Sequence, residues 1–541
     1  MDIRRPFAEA CSKLALPDAV NTQVCLKEPI RLRLFEAVRP EIPMKPTSIV
    51  LMLFATLPSA HAASPQDVLS YHGTADRGGN FVMPGLTWEK AKSVHADENF
   101  RARFQGHMYA QPLYVRGSAQ ASADASMLVV ATEDNGVHAL DARTGDAIWT
   151  RSLGRNVARS MLPCGNISPL GVTGTPAIDE TTGSLLLDAA IADSSGVHHR
   201  VFALSLKDGS VLPGWPVDVA EALRGRTPTF NARDQNQRGA LAVLGGTVYV
   251  PFGGHFGDCG TYHGWVVGVR LSDPHKVSGW ATRARGGGIW APGGISIAGQ
   301  SLFVATGNTF GASTWSDGEA VIRLSPDLRR SDNTRDFFAP RDWLALDQRD
   351  ADLGGSNPLP FDVEGGNGRQ ALMLALGKDG RTYLLDRENL GGIGGSLAIE
   401  TITQAPIRTA PAVYSIGTNS FVALQATGAR CPLRRSYRGG DYELVVLRIA
   451  AGSPPTMSTA WCGAVRGAGS PIVTTSDGQS DPIVWMLGAE GDNRLHGFRG
   501  DTGEPLFTSP PMAGIHHFQT LIAAGGRLYV GADERVYAFA F

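Results

Sequence analysis

Met127-Leu-Val-Val-Ala-Thr132, Glu133-Asp-Asn-Gly136, Val137-His-Ala-Leu-Asp141, Ala142-Arg-Thr-Gly145 and Asp146-Ala-Ile-Trp149 follow one another without a break. Apolar runs of strand length alternate here with tetrads rich in Asn, Asp and Gly. Those residues accept the left-handed backbone that tight hairpin turns need. Tyr109-Ala-Gln-Pro-Leu-Tyr-Val115, just upstream, supplies one more short strand. Residues 107–153 therefore read as a four-stranded meander.

The unit recurs. Leu204-Ser-Leu-Lys-Asp-Gly209 is followed by Trp215, Val267-Gly-Val-Arg-Leu271 by Trp280, and Leu444-Val-Val-Leu-Arg-Ile449 by Trp461. Val321-Ile-Arg-Leu324 and Gly380-Arg-Thr-Tyr-Leu-Leu-Asp386 are further copies of the third strand. In His496-Gly-Phe-Arg-Gly-Asp-Thr-Gly503 the place of Trp149 passes to Phe507. A repeat of roughly 50–65 residues built from four strands is the mark of propeller blades. Gly526-Arg-Leu-Tyr-Val530 and Arg535-Val-Tyr-Ala-Phe539 leave the last unit one strand short. Phe100-Arg-Ala-Arg-Phe104 is expected to complete it and remove the open sheet edge. The fold class is thus all-β, an eight-bladed β-propeller of four-stranded antiparallel blades over 100–541, its last blade closed by an N-terminal strand. Seven blades plus an irregular fragment is the alternative count.

Bulk properties narrow the function. The chain has 541 residues, 49 basic against 51 acidic, and a net charge of −2. The charges are interspersed, with no basic stripe to track a phosphate backbone, so nucleic acid is not an expected partner. The 65 glycines and 33 prolines suit a fold with many tight turns. Ser48–Leu57 is the long uncharged apolar run, too short for the roughly 20 residues of a membrane span. Met44-Lys45 before it and Ala60-His-Ala62 after it give it the form of a cleaved signal peptide over 44–62. Residues 1–43 then read as a non-native upstream extension and 63–99 as an N-terminal extension of the propeller. The protein is expected to be periplasmic or secreted, and a monomer.

The Ala139-Leu-Asp-Ala-Arg-Thr-Gly145 to Trp149 pattern resembles the tryptophan-docking motif of pyrroloquinoline-quinone (PQQ) dehydrogenase-like propellers. In that family each Trp packs between neighbouring blades, which also occurs in members without a cofactor. Further segments resemble the quinoprotein alcohol dehydrogenases. Gly286-Gly-Gly-Ile-Trp290 is similar to the segment whose Trp lies under the flat quinone. Leu302-Phe-Val-Ala-Thr-Gly-Asn308 is similar to the strand end whose Asn ligates calcium. Trp315-Ser-Asp317 stands where the resemblance puts the catalytic Asp, and Leu376-Gly-Lys378 where it puts the basic residue at the quinone edge. Two departures stand out. Cys259 occupies the place of a calcium-ligating Glu, leaving Asp258 as its substitute, and no adjacent Cys-Cys pair is present. No CxxCH haem site exists in the chain. An exported bacterial subgroup is closer still, through Tyr109-Ala-Gln-Pro112, Gly171-Val-Thr-Gly-Thr-Pro176, Tyr262-His-Gly-Trp265 and Lys378-Asp-Gly380.

The resemblance implies PQQ and Ca²⁺ as cofactors, with Trp290 and Lys378 binding the quinone, Asn308 and Asp258 the metal, and Asp317 as base. The alternative is a non-catalytic periplasmic scaffold that presents loops to a protein partner. His255, Cys259 and His263 would share a face on a helix, but their Gly-rich setting is a poor helix. The His198-His199 and His516-His517 pairs read as surface or core histidines. Four cysteines follow the leader, an even number that suits two disulfides in an exported protein. Cys431 and Cys462 flank one predicted strand, and Cys164 and Cys259 fall in long insertions of consecutive blades, so the expected pairs are Cys164–Cys259 and Cys431–Cys462.

Overall fold

The computed structural model describes residues 67–117, 126–366, 368–432 and 442–541. The expected signal peptide and the stretch before it lie outside the described residues. Eight antiparallel sheets follow one another along the chain, each starting with its innermost strand. The innermost strands, numbered by blade from 1 to 8, are Leu113–Val115, Ala177–Asp179, Ala242–Leu244, Ser296–Ala298, Leu359–Gly365, Ala412–Ile416, Ile472–Thr475 and Leu521–Ala524. The outermost strand of blade 1, Ala147–Ser152, is largely exposed, whereas its middle strands are buried.

Tryptophans lock blades together as the repeat implied. Trp149 Nε1 donates to the Leu206 carbonyl at 3.0 Å and its ring covers Gly209 in the next blade's turn. Trp461 does the same between blades 6 and 7, donating to the Gly500 carbonyl at 2.8 Å over Gly503. Both glycines have φ near +70°, and a Cβ on either would sit within 2.6 Å of the indole. The turn therefore needs glycine twice over, for its backbone angle and for the ring.

Closure is the point where the structure corrects the sequence reading. The last blade is completed by His95–Ala96, which pairs antiparallel with Arg535–Ala540. Phe100–Phe104 makes only one bridge to that blade, Arg103 to Arg535. Its alternation has another cause. Phe100 packs on Tyr529, and the Arg101 N–H donates to the Thr144 carbonyl at 2.8 Å under the first blade's turn. The segment is the connector from blade 8 to blade 1.

Residues 68–82, within the N-terminal extension, run across the inner strands of several blades. Val68 pairs with Tyr114, the Leu69 and Ala75 carbonyls accept from Ile178 and Ile297, and Gly78 and Gly79 accept from Val413 and Val473. Asn80–Val82 adds a parallel strand to Ile472–Thr475. Arg77 is fully buried here and donates to the backbone carbonyls of Ile295, Tyr71 and Leu241. This plug ties together the inner strands of several blades at the axis.

Both disulfides are present, with Cα separations of 6.0 Å for Cys164–Cys259 and 5.9 Å for Cys431–Cys462. Among the described residues no helix is long and apolar enough to cross a membrane.

Candidate functional site

At the end of the axis where the inner strands begin, the residues just ahead of those strands converge. Tyr109, Arg238, Trp290, Arg408 and Phe518 precede the inner strands of blades 1, 3, 4, 6 and 8. Lys378 joins them from the hairpin turn between Gly368–Leu376 and Arg381–Asp386.

Three of the residues singled out in the sequence meet at one carboxylate. Trp290 Nε1 donates to Asp352 Oδ2 at 3.1 Å, and the Asn308 backbone N–H donates to Oδ1 at 2.9 Å. Lys378 Nζ lies 2.8 Å from Asp352 Oδ2, 2.6 Å from Asp350 Oδ1, and 5.2 Å from the Trp290 ring centre. Asp352 is buried and heads the turn Leu353–Gly355. Sequence reasoning missed it. Its one signal was the Asp350-Ala-Asp352 pair ahead of Leu353-Gly-Gly355, which resembles any polar turn.

More carboxylates stand behind it. Glu319 Oε2 accepts from the Leu353 N–H at 2.6 Å, and Asp347 accepts from Thr309. Burial, reinforced by the Asp352 charge, pushes Glu319 well above the usual carboxylate range. Burial also raises Asp347 and Asp352, with Lys378 pulling Asp352 the other way. For Lys378, burial alone would lower the ammonium, but Asp352 and Asp350 outweigh it and hold it above its ordinary value. Asp352 is thus a carboxylate of increased basicity with a fixed cation beside it.

Asp317 stands apart from this cluster. Its two oxygens accept from Arg283 Nε and Nη2 at 2.9 and 3.0 Å, and Arg330 Nε lies 3.1 Å away. It is fully buried under two guanidinium groups, which suits an anchor for its turn. Asp258 is engaged by the Tyr262 hydroxyl at 2.6 Å, and its neighbour Cys259 is held in the disulfide. Calcium takes six to eight oxygen ligands. Asn308 offers one amide oxygen, and the carboxylate beside it is already engaged by Trp290, Lys378 and a backbone N–H. Asn308 and Asp258 share no partner among the described residues, so these two do not fit a common calcium site.

The rest of the axial end is cationic and aromatic. Arg238 lies 4.8 Å over the Phe518 ring and 5.6 Å over Tyr109, and Arg408 lies 5.9 Å from Phe518. Neither arginine forms a salt bridge among the described residues. Gly355 separates Arg408 from Trp290; a Cβ there would lie 3.4 Å from the indole and 3.6 Å from Arg408 Cγ. Phe518 has φ +71°, a strained backbone for an aromatic residue. A small cavity of about 20 Å³, room for about one water, lies here between Tyr109, Arg238, Pro292 and Phe518, with Tyr71 of the plug among its lining.

The eight-bladed fold is similar to that of several solved dehydrogenase propellers. The quinohemoprotein alcohol dehydrogenase from Comamonas testosteroni superposes with a TM-score of 0.60 at 15% identity, covering 89% of this chain and 81% of its own. Quinohemoprotein alcohol dehydrogenase ADHIIG from Pseudomonas putida HK5 gives 0.61 at 14% identity, covering 88% and 80%. A europium-containing methanol dehydrogenase gives 0.58 at 12%, covering 89% and 99%. At such identities the likeness is one of fold. No protein-family model and no curated protein sequence matches the chain.

Proposed function

We propose that the protein binds PQQ, or a flat anionic aromatic of the same class, at the axial end over Trp290, and that Asp352 is the proton acceptor of an alcohol-oxidising site. The observation that carries the reading is the pairing of two arginines lacking carboxylate partners with aromatic faces, beside the Trp290–Asp352–Lys378 cluster. A planar polycarboxylate needs both: faces to stack on and cations to offset its charge. The residue types present suit the quinone, with Trp290 as aromatic platform and Lys378, Arg238 and Arg408 as its cations, and binding requires the small cavity beside Arg238 to widen. The bound quinone would supply the two-electron acceptor.

The chain's own residues then act on the substrate hydroxyl. Burial makes Asp352 a better base than a surface carboxylate, suited to accept the hydroxyl proton. The Trp290 N–H and the Asn308 backbone N–H fix its orientation from two sides, and Lys378 stabilises its charged form. The expected role of Asp317 thus passes to Asp352. Two disulfides support an oxidising compartment, so the site is assigned to the periplasm or the cell exterior.

Calorimetric titration with PQQ is the test. One site per chain is expected, weakened at least about tenfold by Trp290→Ala or Lys378→Met. In dye-linked alcohol oxidation by the loaded protein, Asp352→Asn should lower turnover by about 100- to 10,000-fold while PQQ still binds. Absence of PQQ binding removes the reading. Full activity in Asp352→Asn removes the base assignment alone.

A further inference from the structure

At the seam of the propeller, three loops bring together side chains that the axial site does not use. His107 lies ahead of the first blade, His516 ahead of the last blade's inner strand, and Asp533 in the turn before Arg535–Ala540. Their ligand atoms all lie within 4.8 Å of one another. His107 Nδ1 is 2.9 Å from Asp533 Oδ2, and His516 Nε2 is 2.9 and 2.8 Å from Oδ1 and Oδ2. Among the described residues this is the one group of three or more His, Cys, Asp or Glu side chains so arranged.

We propose that His107, His516 and Asp533 form a site for one divalent first-row transition ion, of the zinc type, that staples the first blade to the last. Two imidazoles and a carboxylate are a donor set that borderline ions such as Zn²⁺ and Co²⁺ prefer over calcium or magnesium. Metal–nitrogen and metal–oxygen bonds of about 2.0–2.2 Å at the tetrahedral angle put neighbouring ligand atoms about 3.3–3.6 Å apart. The His–Asp separations of 2.8–2.9 Å would open by roughly half an ångström to admit the ion.

The surroundings hold the ligands in place. Tyr109 stacks on His516 at 4.8 Å and 28°. The Met108 N–H donates to Asp533 Oδ1 at 3.1 Å. Glu490 Oε1 lies 3.7 Å from His516 Nδ1 and 2.7 Å from His517 Nδ1. A carboxylate at Nδ1 favours the tautomer that leaves Nε2 as a metal ligand, the outer-shell pattern of histidine metal sites. His107 is 54% exposed, which gives the ion a route in and leaves positions for water. The location gives the ion a job, because the last blade is closed at its outer edge by only the two-residue strand His95–Ala96. An ion held by both blades would close the ring at the axial end as well.

The experiment uses the full chain, purified without a polyhistidine tag and stripped with chelator. Co²⁺ is titrated with visible absorption as the readout, then displaced with Zn²⁺, and the melting temperature is followed with each. One equivalent of Co²⁺ is expected to give ligand-field bands that Zn²⁺ abolishes, with a rise in melting temperature. His516→Ala and Asp533→Asn should each weaken binding at least tenfold and cancel the rise. His107→Ala, at an exposed position, covers the case in which either of those fails to fold. His275→Ala, on an exposed surface turn away from these loops, should change nothing. No bands at several equivalents of Co²⁺, or binding that survives His107→Ala undiminished, would overturn the proposal. PQQ titration of the same samples reads the axial site separately.

Discussion

Two arginines stand at the axis of this propeller, one fully buried and one half-buried, and they are solvated in opposite ways. Arg77, in the plug, spends its guanidinium on three backbone carbonyls from the plug and blades 3 and 4. Burial lowers it to about 10, so it remains charged at neutral pH. Arg238, which lines one small cavity with Tyr71 of the plug, makes no hydrogen bond or salt bridge among the described residues and rests against the faces of Phe518 and Tyr109. A buried cation whose donors are all met is part of the framework. A half-buried cation met only by ring faces retains donors for something else. The difference separates the part of the axis that holds the fold from the part suited to a ligand.

The sharpest way to break this contrast is Arg77→Met. Methionine keeps much of the volume and removes the charge, but leaves the carbonyls of Ile295, Tyr71 and Leu241 buried without their donor. A loss of about 4 kcal/mol in unfolding free energy is expected, read from urea denaturation. A loss below about 1 kcal/mol would mean that water replaces the guanidinium, and the plug would no longer count as framework.

What the sequence made legible follows the range of the interaction. Blade architecture is written locally, in period-two runs, Asn/Asp/Gly turns and a Trp at fixed offset from a Gly, and Trp149 over Gly209 is what that pattern foretold. The disulfide pairs were legible because blade order places their loops side by side. Contacts between distant segments were not. Nothing local in His95–Ala96 marks it as a strand, and Phe100–Phe104 looks more like one, because its alternation serves packing on Tyr529 and the first blade's turn. The plug was invisible for the same reason, since Arg77 meets carbonyls 164 and 218 residues away. At the site, Trp290, Asn308 and Lys378 were found through their motifs, but Asp352, which joins them, lies in a turn with no distinctive pattern. Asp317 has the right residue type near the right strand, and only the positions of Arg283 and Arg330 show how its oxygens are engaged.

Glu133 sharpens the contrast through pH. It is buried near Arg238; its Oε2 accepts from the Gly171 N–H at 2.6 Å and its Oε1 has no partner. Burial pushes it from 4.5 up to about 7. Between those values the folded chain binds more protons at this group than the unfolded chain does. Its contribution to stability is therefore full below about pH 4.5 and is lost as pH rises towards 7 and beyond. A shift of this size corresponds to about 3 kcal/mol. Relative to wild type, Glu133→Gln should gain that much between pH 4.5 and 8 in unfolding titrations, since Gln can still accept from Gly171 and never ionises. A difference between the two proteins that stays constant across this range would show that Glu133 is ionised throughout.

The smallest expected effect on stability falls on the arginines of the open end, and it is the most telling. Arg238→Met and Arg408→Met remove cations that satisfy no backbone carbonyl, so no acceptor is stranded. Each should change unfolding free energy by less than about 1 kcal/mol, the scale of an exposed-to-partly-desolvated cation–π contact. Each should nevertheless weaken binding of PQQ about tenfold, because a carboxylate of the ligand then enters the cavity without its counter-charge. The pair of measurements separates two explanations of the same geometry. If the arginines are there to brace Phe518 in its strained backbone, stability falls and binding is lost only in proportion to unfolding. If they are there for an anion, stability holds and affinity falls, more steeply at low ionic strength, where unscreened charge counts for most. Equal losses in Arg77→Met and Arg238→Met would erase the distinction between the framework arginine and the ligand-facing one.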